Sequence, residues 1–279
     1  MLWSNFRSDA AWKQALFTKE AWKEIHPRLH MLFQKFPYLS QHNVEPDELH
    51  IIYLGTVQHI VGSVLWLLCY RSLPDSPEEN IQRVFETICA YYSEASIATQ
   101  YSNLGLSSFV DIDKPRSSYP KLRGKGAEAR DIVPAILHAW RQFKEHTTYQ
   151  HERVATLLAK QMEAQSILSD HKREAFLPVE VAKQCKATVN DILRIYTMLA
   201  NKADEDALCL WNMTPKWHWL YHLGEKSVYL NPRISCCMVD EDFVGQLKVI
   251  VAASAQGTAM HRVPEKVAEK LRWALHFAA

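Results

Sequence analysis

Glycine is scarce in this chain, with eight in 279 residues, and only twelve prolines accompany them. A β-sandwich or barrel needs tight turns at short intervals, and turns draw on those two residue types. The composition therefore excludes a turn-rich β architecture and favours helices. Net charge is also nearly absent, +1 from 32 Lys and Arg against 31 Asp and Glu, so the molecule as a whole is not drawn to nucleic acid or acidic lipid. The six cysteines form no CxxC pair and no regular spacing, which argues against a disulfide framework. No basic stretch followed by an apolar one lies behind Met1. The expected location is therefore a reducing compartment, nucleus or cytosol, and not the secretory route. No repeat of fixed period and no low-complexity tract interrupts the chain. What is present is ordinary globular material, 48% apolar and 23% charged, long enough to bury a sizeable core as one domain over residues 1–279.

The most apolar segment is Ile51 to Tyr70, which carries no formal charge. Its length suits a membrane span, but Gln58 and His59 sit at its middle and Gly55, Gly62 and Ser63 dilute it. Polar side chains in hydrocarbon are costly, so a helix buried in a helical core is the expected form, with no membrane. Periodicity elsewhere is mostly helical. Pro178 to Ala203 places Val181, Cys185, Val189, Ile192, Tyr196 and Leu199 on one face. Asp131 is placed to cap a helix that carries Ile132, Val133, Ile136, Leu137, Trp140 and Phe143. Glu78 to Tyr101 and Val239 to Ser254 follow the same pattern, and so does the lead-in over residues 1–40. The strand candidates are "HIIYL" and "KSVYLNPRISCCMV". The fold class is mainly α, in four stretches: the lead-in, a core over 41–110, a basic loop over 111–130, and a helical remainder over 131–279.

Several polar groups are candidates for function. Between Lys114 and Arg130 six Lys and Arg face one Glu in a stretch punctuated by Pro, Ser and Gly. Such a loop either contacts a phosphate backbone, gaining affinity by counterion release, or is simply solvated. "TPKWHWLYHLGEK" sets His218 and His222 four apart, on one side of a helix. That spacing can hold zinc, with Cys236 and Cys237 further on. Zinc is nevertheless disfavoured, because adjacent cysteines seldom share an ion and no HExxH glutamate is present. An aromatic, hydrogen-bonded packing belt of Trp217, Trp219, Tyr221 and the two histidines is the plainer reading. In "CCMVDEDFVGQLKVIVAAS", Asp240 is placed as an N-cap, and Phe243, Leu247, Ile250 and Val251 as the buried stripe behind it. Its three acids suit the helix dipole without any function. Asp47 likewise can cap a helix that begins at Glu48, with Pro46 upstream.

Four fragments, in order, resemble a known family. "PDELHIIYLG", "KGAEARDIVP", "TPKWHWLYHL" and "NPRISCCMVDEDFVGQLK" are similar to motifs of cut-and-paste DNA transposases of the CACTA and Plavaka/Kyakuja type, across roughly residues 40 to 260. The resemblance implies a helical insertion plus a remnant of an RNase H-like α/β core with few strands. It also implies a phosphodiester chemistry in which carboxylates hold two divalent cations, Mg2+ or Mn2+. On it, Asp47 and Glu241 become catalytic acids and metal ligands. Asp240 is a further ligand, Asp242 competes with both, and His50 is a catalytic residue that orients Asp47 or touches a phosphate. Lys121, Arg123, Lys125, Arg130, Lys216 and His218 become DNA contacts. The first catalytic acid has no evident counterpart, since only Asp9, Glu20, Glu24 and Glu45 precede Asp47. The resemblance therefore implies a transposase-derived remnant with little strand transfer alone, whose partner is DNA and whose self-association stays open. The competing expectation is a non-enzymatic helical interaction or structural domain.

Overall fold

The computed structural model describes residues 9–10, 35–36, 38, 45–143 and 149–278. The helical lead-in expected over residues 1–40 falls almost wholly outside them. By internal contacts the chain divides into two units, Met1–Ser235 and Cys236–Ala279.

In the first unit the apolar run forms one unbroken helical stretch. Helix α1 (Val57–Leu67) is flanked by π-helical turns at Leu49–Thr56 and Leu68–Ser72. It is long and apolar enough to cross a membrane, yet Val57, Val61, Val64, Leu65 and Leu68 are fully buried inside the protein. A helix that is apolar on every face belongs in a core, and the rest of the unit wraps this one. Helix α2 (Pro77–Glu94) starts at a capping box in which Ser76 and Glu79 satisfy each other's backbone N–H groups, with Pro77 at the first position. It stops at Glu94, short of the Tyr101 expected from periodicity, and Ser96 turns the chain with φ 53°. Asn80, buried on α2, donates to the Cys69 and Asp75 carbonyls at 2.9 and 2.8 Å and so ties the end of the core helix to the next one.

The short helix α3 (Gly126–Asp131) leads into α4 (Val133–Phe143), α5 (Tyr149–Asp170) and the long α6 (Val179–Glu205). Asp131 ends α3 and pairs with Arg130 instead of capping a new helix. On α6 the expected stripe is buried, through Cys185, Val189, Ile192, Tyr196 and Leu199. Helix α4 packs on α2 and α5, and α5 on α6. Helix α7 (Pro215–Lys226) closes the unit against α6 and the first π-helical turn. Trp217 anchors it, fully buried with its ring centroid 3.5 Å from that of Tyr196.

The second unit is a hairpin of α8 (Met238–Ala255) and α9 (Val263–Ala278), turned at Gly257 with φ 64°. Lys270 reaches back to the Ala253 carbonyl near the end of α8. Two expectations fail here. Helix α8 begins at Met238 with Cys237 at its cap, so Asp240 and Glu241 lie within the first turn. The stripe behind them is not buried either, because Phe243 and Val251 are exposed and Leu247 and Ile250 only half-buried.

No strand occurs among the described residues. "HIIYL" belongs to the π-helical turn, and "KSVYLNPRISCCMV" spans the end of α7, a 3-10 turn at Pro232–Ser235 and the start of α8. The chain is mainly α, and no sheet of an RNase H-like core is seen among these residues.

Candidate functional site

The N-terminal turn of the core helix gathers residues from several of the stretches singled out by the sequence. Asp47 is its N-cap. One carboxylate oxygen accepts from the Leu49 N–H at 3.2 Å, the other from the His50 N–H at 3.1 Å, and the Asp47 carbonyl accepts from Ile51. These are the bonds a cap residue makes to the second and third helical positions. The His50 ring adds an Nδ1 contact to the same carboxylate. Glu241 and Asp240 belong to the other unit, each in the first turn of α8, so the described geometry does not bring them into one unit with Asp47.

The other motifs interlock around this turn. Gly126, from the "KGAEAR" motif, lies against Leu49 so closely that a Cβ there would meet the Leu49 side chain at 2.2 Å. Lys216, from "PKWHW", donates to the Leu54 carbonyl at 2.7 Å across the bare Cα of Gly55. Arg233, from "NPRIS", donates to both oxygens of Glu48 at 3.1 Å. Glu48 is fully buried and also accepts from the Tyr53 hydroxyl at 2.7 Å. Glu45 pairs with Lys226 at 2.9 Å, and Ser235 donates to the Pro46 carbonyl at 2.7 Å. Asn231 is buried and bridges the His171 and Glu174 carbonyls, each at 2.8 Å.

The basic loop is equally fixed. Lys121, Leu122 and Arg123 donate their N–H groups in turn to Phe109, to Gln58 on α1 and to Ser108, at 2.7–2.9 Å. Leu122 is buried while Lys121 and Arg123 point outward on either side of it. The backbone of Pro120 and Lys121 passes directly over Gly62, where a Cβ would stand 2.8–2.9 Å from backbone atoms. Gly62→Ala is therefore expected to lift this segment, at about 1–3 kcal/mol. Trypsin should then cut after Lys121, Arg123 or Lys125 in the variant well before it cuts the wild-type chain. Equal digestion of the two would show that the loop is not held by this contact.

The electrostatics of the cluster are dominated by cations. Burial lowers the Lys216 ammonium pKa, and neighbouring Lys121 lowers it further while Asp47 opposes the change. His59, buried one turn before Gly62, is pushed down to about 4 by burial and by Lys121 and Lys216. Lys125 is exposed at the cap of α3, where its N–H donates to Glu128 at 2.7 Å. Arg130 is half-buried and held by both oxygens of Asp131, which raises its pKa.

Of the acids that the resemblance implies as metal ligands, Asp47 alone lies in this unit. Its carboxylate accepts two helix N–H bonds, and Lys216 lies within electrostatic reach of both Asp47 and Lys121. In the sequence Glu48 and Arg233 show only as a carboxylate beside the apolar run and an arginine in the last motif, and His59 only as a polar residue inside that run. No protein-family model, curated protein or solved structure matches the chain.

Proposed function

We propose that this chain is a transposase-derived, DNA-binding helical protein that grips the phosphate backbone and carries no strand-transfer chemistry of its own. The observation that supports it most is the rigid mounting of Lys121 and Arg123 on the core helix. Lys125 follows at the start of α3, and Lys216 approaches from α7. A flexible basic loop loses conformational freedom when it meets a polyanion, whereas a pre-fixed one does not. Lys121 and Arg123 line an open groove of about 420 Å³ with Ser118 and Tyr119, in which Asp111 is the one acid. Charges already close enough to depress a lysine gain from an anion set between them. The reading keeps the family resemblance for origin and gives up the carboxylate–metal chemistry, because Asp47 acts as a cap.

The test is duplex affinity by fluorescence anisotropy between 50 and 200 mM salt. Neutralising Lys121, Arg123 and Lys125 to Gln together is expected to lower the slope of log K against log salt by about 2–3, since each phosphate contact contributes about 0.9. An unchanged slope, or no duplex binding by the wild-type chain at low salt, removes the DNA reading. A protein-interaction role is the second reading. It is favoured by the exposed Val239, Phe243 and Val249 on α8 and Trp273 on α9.

A further inference from the structure

Helix α7 carries titratable side chains that the DNA contact does not need. His218 and His222 lie one turn apart, and their Nε2 atoms are 3.0 Å from each other. The rings meet edge to face at 88°. One imidazole therefore donates and the other accepts, so a lone pair already points into the space between them. We infer that His218 and His222 jointly hold one divalent transition-metal ion of the Cu(II), Ni(II) or Zn(II) class through their Nε2 atoms, with water completing the shell.

The distance supports a shared ion. With metal–nitrogen bonds of about 2.0–2.1 Å, two imidazole nitrogens lie about 2.8 Å apart in a square plane and about 3.3 Å apart in a tetrahedron. The observed separation falls between these values, so the spacing suits either geometry once the rings turn to aim both lone pairs at one point. The donating ring shifts its proton to Nδ1, and both Nε2 lone pairs then face the ion with no change in protein charge.

The scaffold is fixed beforehand. Trp217, Leu220 and Leu223 are buried on the inner side of α7. Gly224 lets the helix approach α6, where a Cβ would stand 2.8 Å from Val189. Imidazole nitrogens select borderline metals over Mg2+ or Ca2+, and among the borderline metals the expected order places Cu(II) first. This is therefore a different site, with different chemistry, from a carboxylate site for hard cations.

The experiment titrates Zn(II), Ni(II) and Cu(II) separately into the full chain by calorimetry. We expect one saturable site per chain, tightest for Cu(II). His218→Ala and His222→Ala should each weaken binding at least tenfold, and His261→Ala should leave it unchanged. The Trp219 ring lies 5.8 Å from that of His222, so Cu(II) should quench tryptophan fluorescence, with less quenching in Trp219→Phe. A folding defect in a variant could mimic ligand loss, so the wild-type chain is also read directly. Long-range proton–nitrogen spectra should show Zn(II) shifting the Nε2 signals of two histidines. A wild-type chain that takes no ion, or a double variant that binds as well as wild type, overturns the assignment.

Discussion

Replacing Arg233 with methionine is expected to lower the unfolding free energy by about 3–5 kcal/mol, as when one partner is removed from a buried ion pair. Glu48 is fully buried, whereas the Arg233 side chain retains 26% of its exposure. That asymmetry sets the order of the variants. Without Arg233 the buried Glu48 carboxylate keeps only the Tyr53 hydroxyl among its described hydrogen bonds. Without the Glu48 charge, the guanidinium can still turn toward solvent. Glu48→Gln should therefore cost clearly less than Arg233→Met, and the double variant less than the sum of the two. Arg130 lies close enough to feel the Glu48 charge but is engaged by Asp131, so it offsets only part of the loss. Urea unfolding of the four proteins at neutral pH measures all of this. Additive costs, or a Glu48→Gln variant as unstable as Arg233→Met, would show that the pair is not what joins the start of the core helix to the chain beyond α7.

The pattern of success in the sequence follows from how far each signal travels along the chain. Helix α6 was legible because its apolar residues recur every three or four positions, and the core helix because Ile51 to Tyr70 carries no formal charge. Short apolar runs carry no such information. "HIIYL" has the β-branched and aromatic composition of a strand, yet it lies in a π-helical turn, stabilised by Lys216 bound to the Leu54 carbonyl. The site was legible as a list of motifs and not as an arrangement. Asp47, His50, Lys121 and Lys216 all stand out in the sequence, but that Asp47 bonds the N–H groups of a helix terminus and that Lys216 reaches the Leu54 carbonyl is visible only in the fold. Glu48 and Arg233 meet across 185 positions, and no local periodicity encodes a pairing of that kind. On α8 the apolar period was read correctly as a helix. Burial is a property of neighbours, so periodicity alone could not say that Phe243 would remain exposed.

The second large effect is a loss of stability in mild acid. His59 has an ordinary pKa of 6.5 when unfolded and is held to about 4 in the fold, first by burial and then by Lys121 and Lys216. Between those two values the unfolded chain binds a proton that the folded chain refuses. Stability is therefore complete above about pH 6.5 and declines as pH falls toward 4. A depression of this size corresponds to about 3 kcal/mol, and His222, lowered to a similar value, acts in the same window. Carboxylates such as Glu163, whose pKa is lowered by Lys160, exert their effect further into acid, because they begin from 4.5. The window between pH 4.5 and 6.5 thus belongs mainly to buried histidine. His59→Gln keeps a side-chain donor for the Pro120 backbone but cannot take up a proton. Urea midpoints measured at pH 7, 6 and 5 should fall more gently for this variant than for wild type, with His222 responsible for much of the remaining slope. Identical slopes in the two proteins would mean that His59 is protonated as easily in the fold as outside it, and the cationic cluster around Lys121 and Lys216 would then be far better solvated than its packing against Gly55 and Gly62 implies.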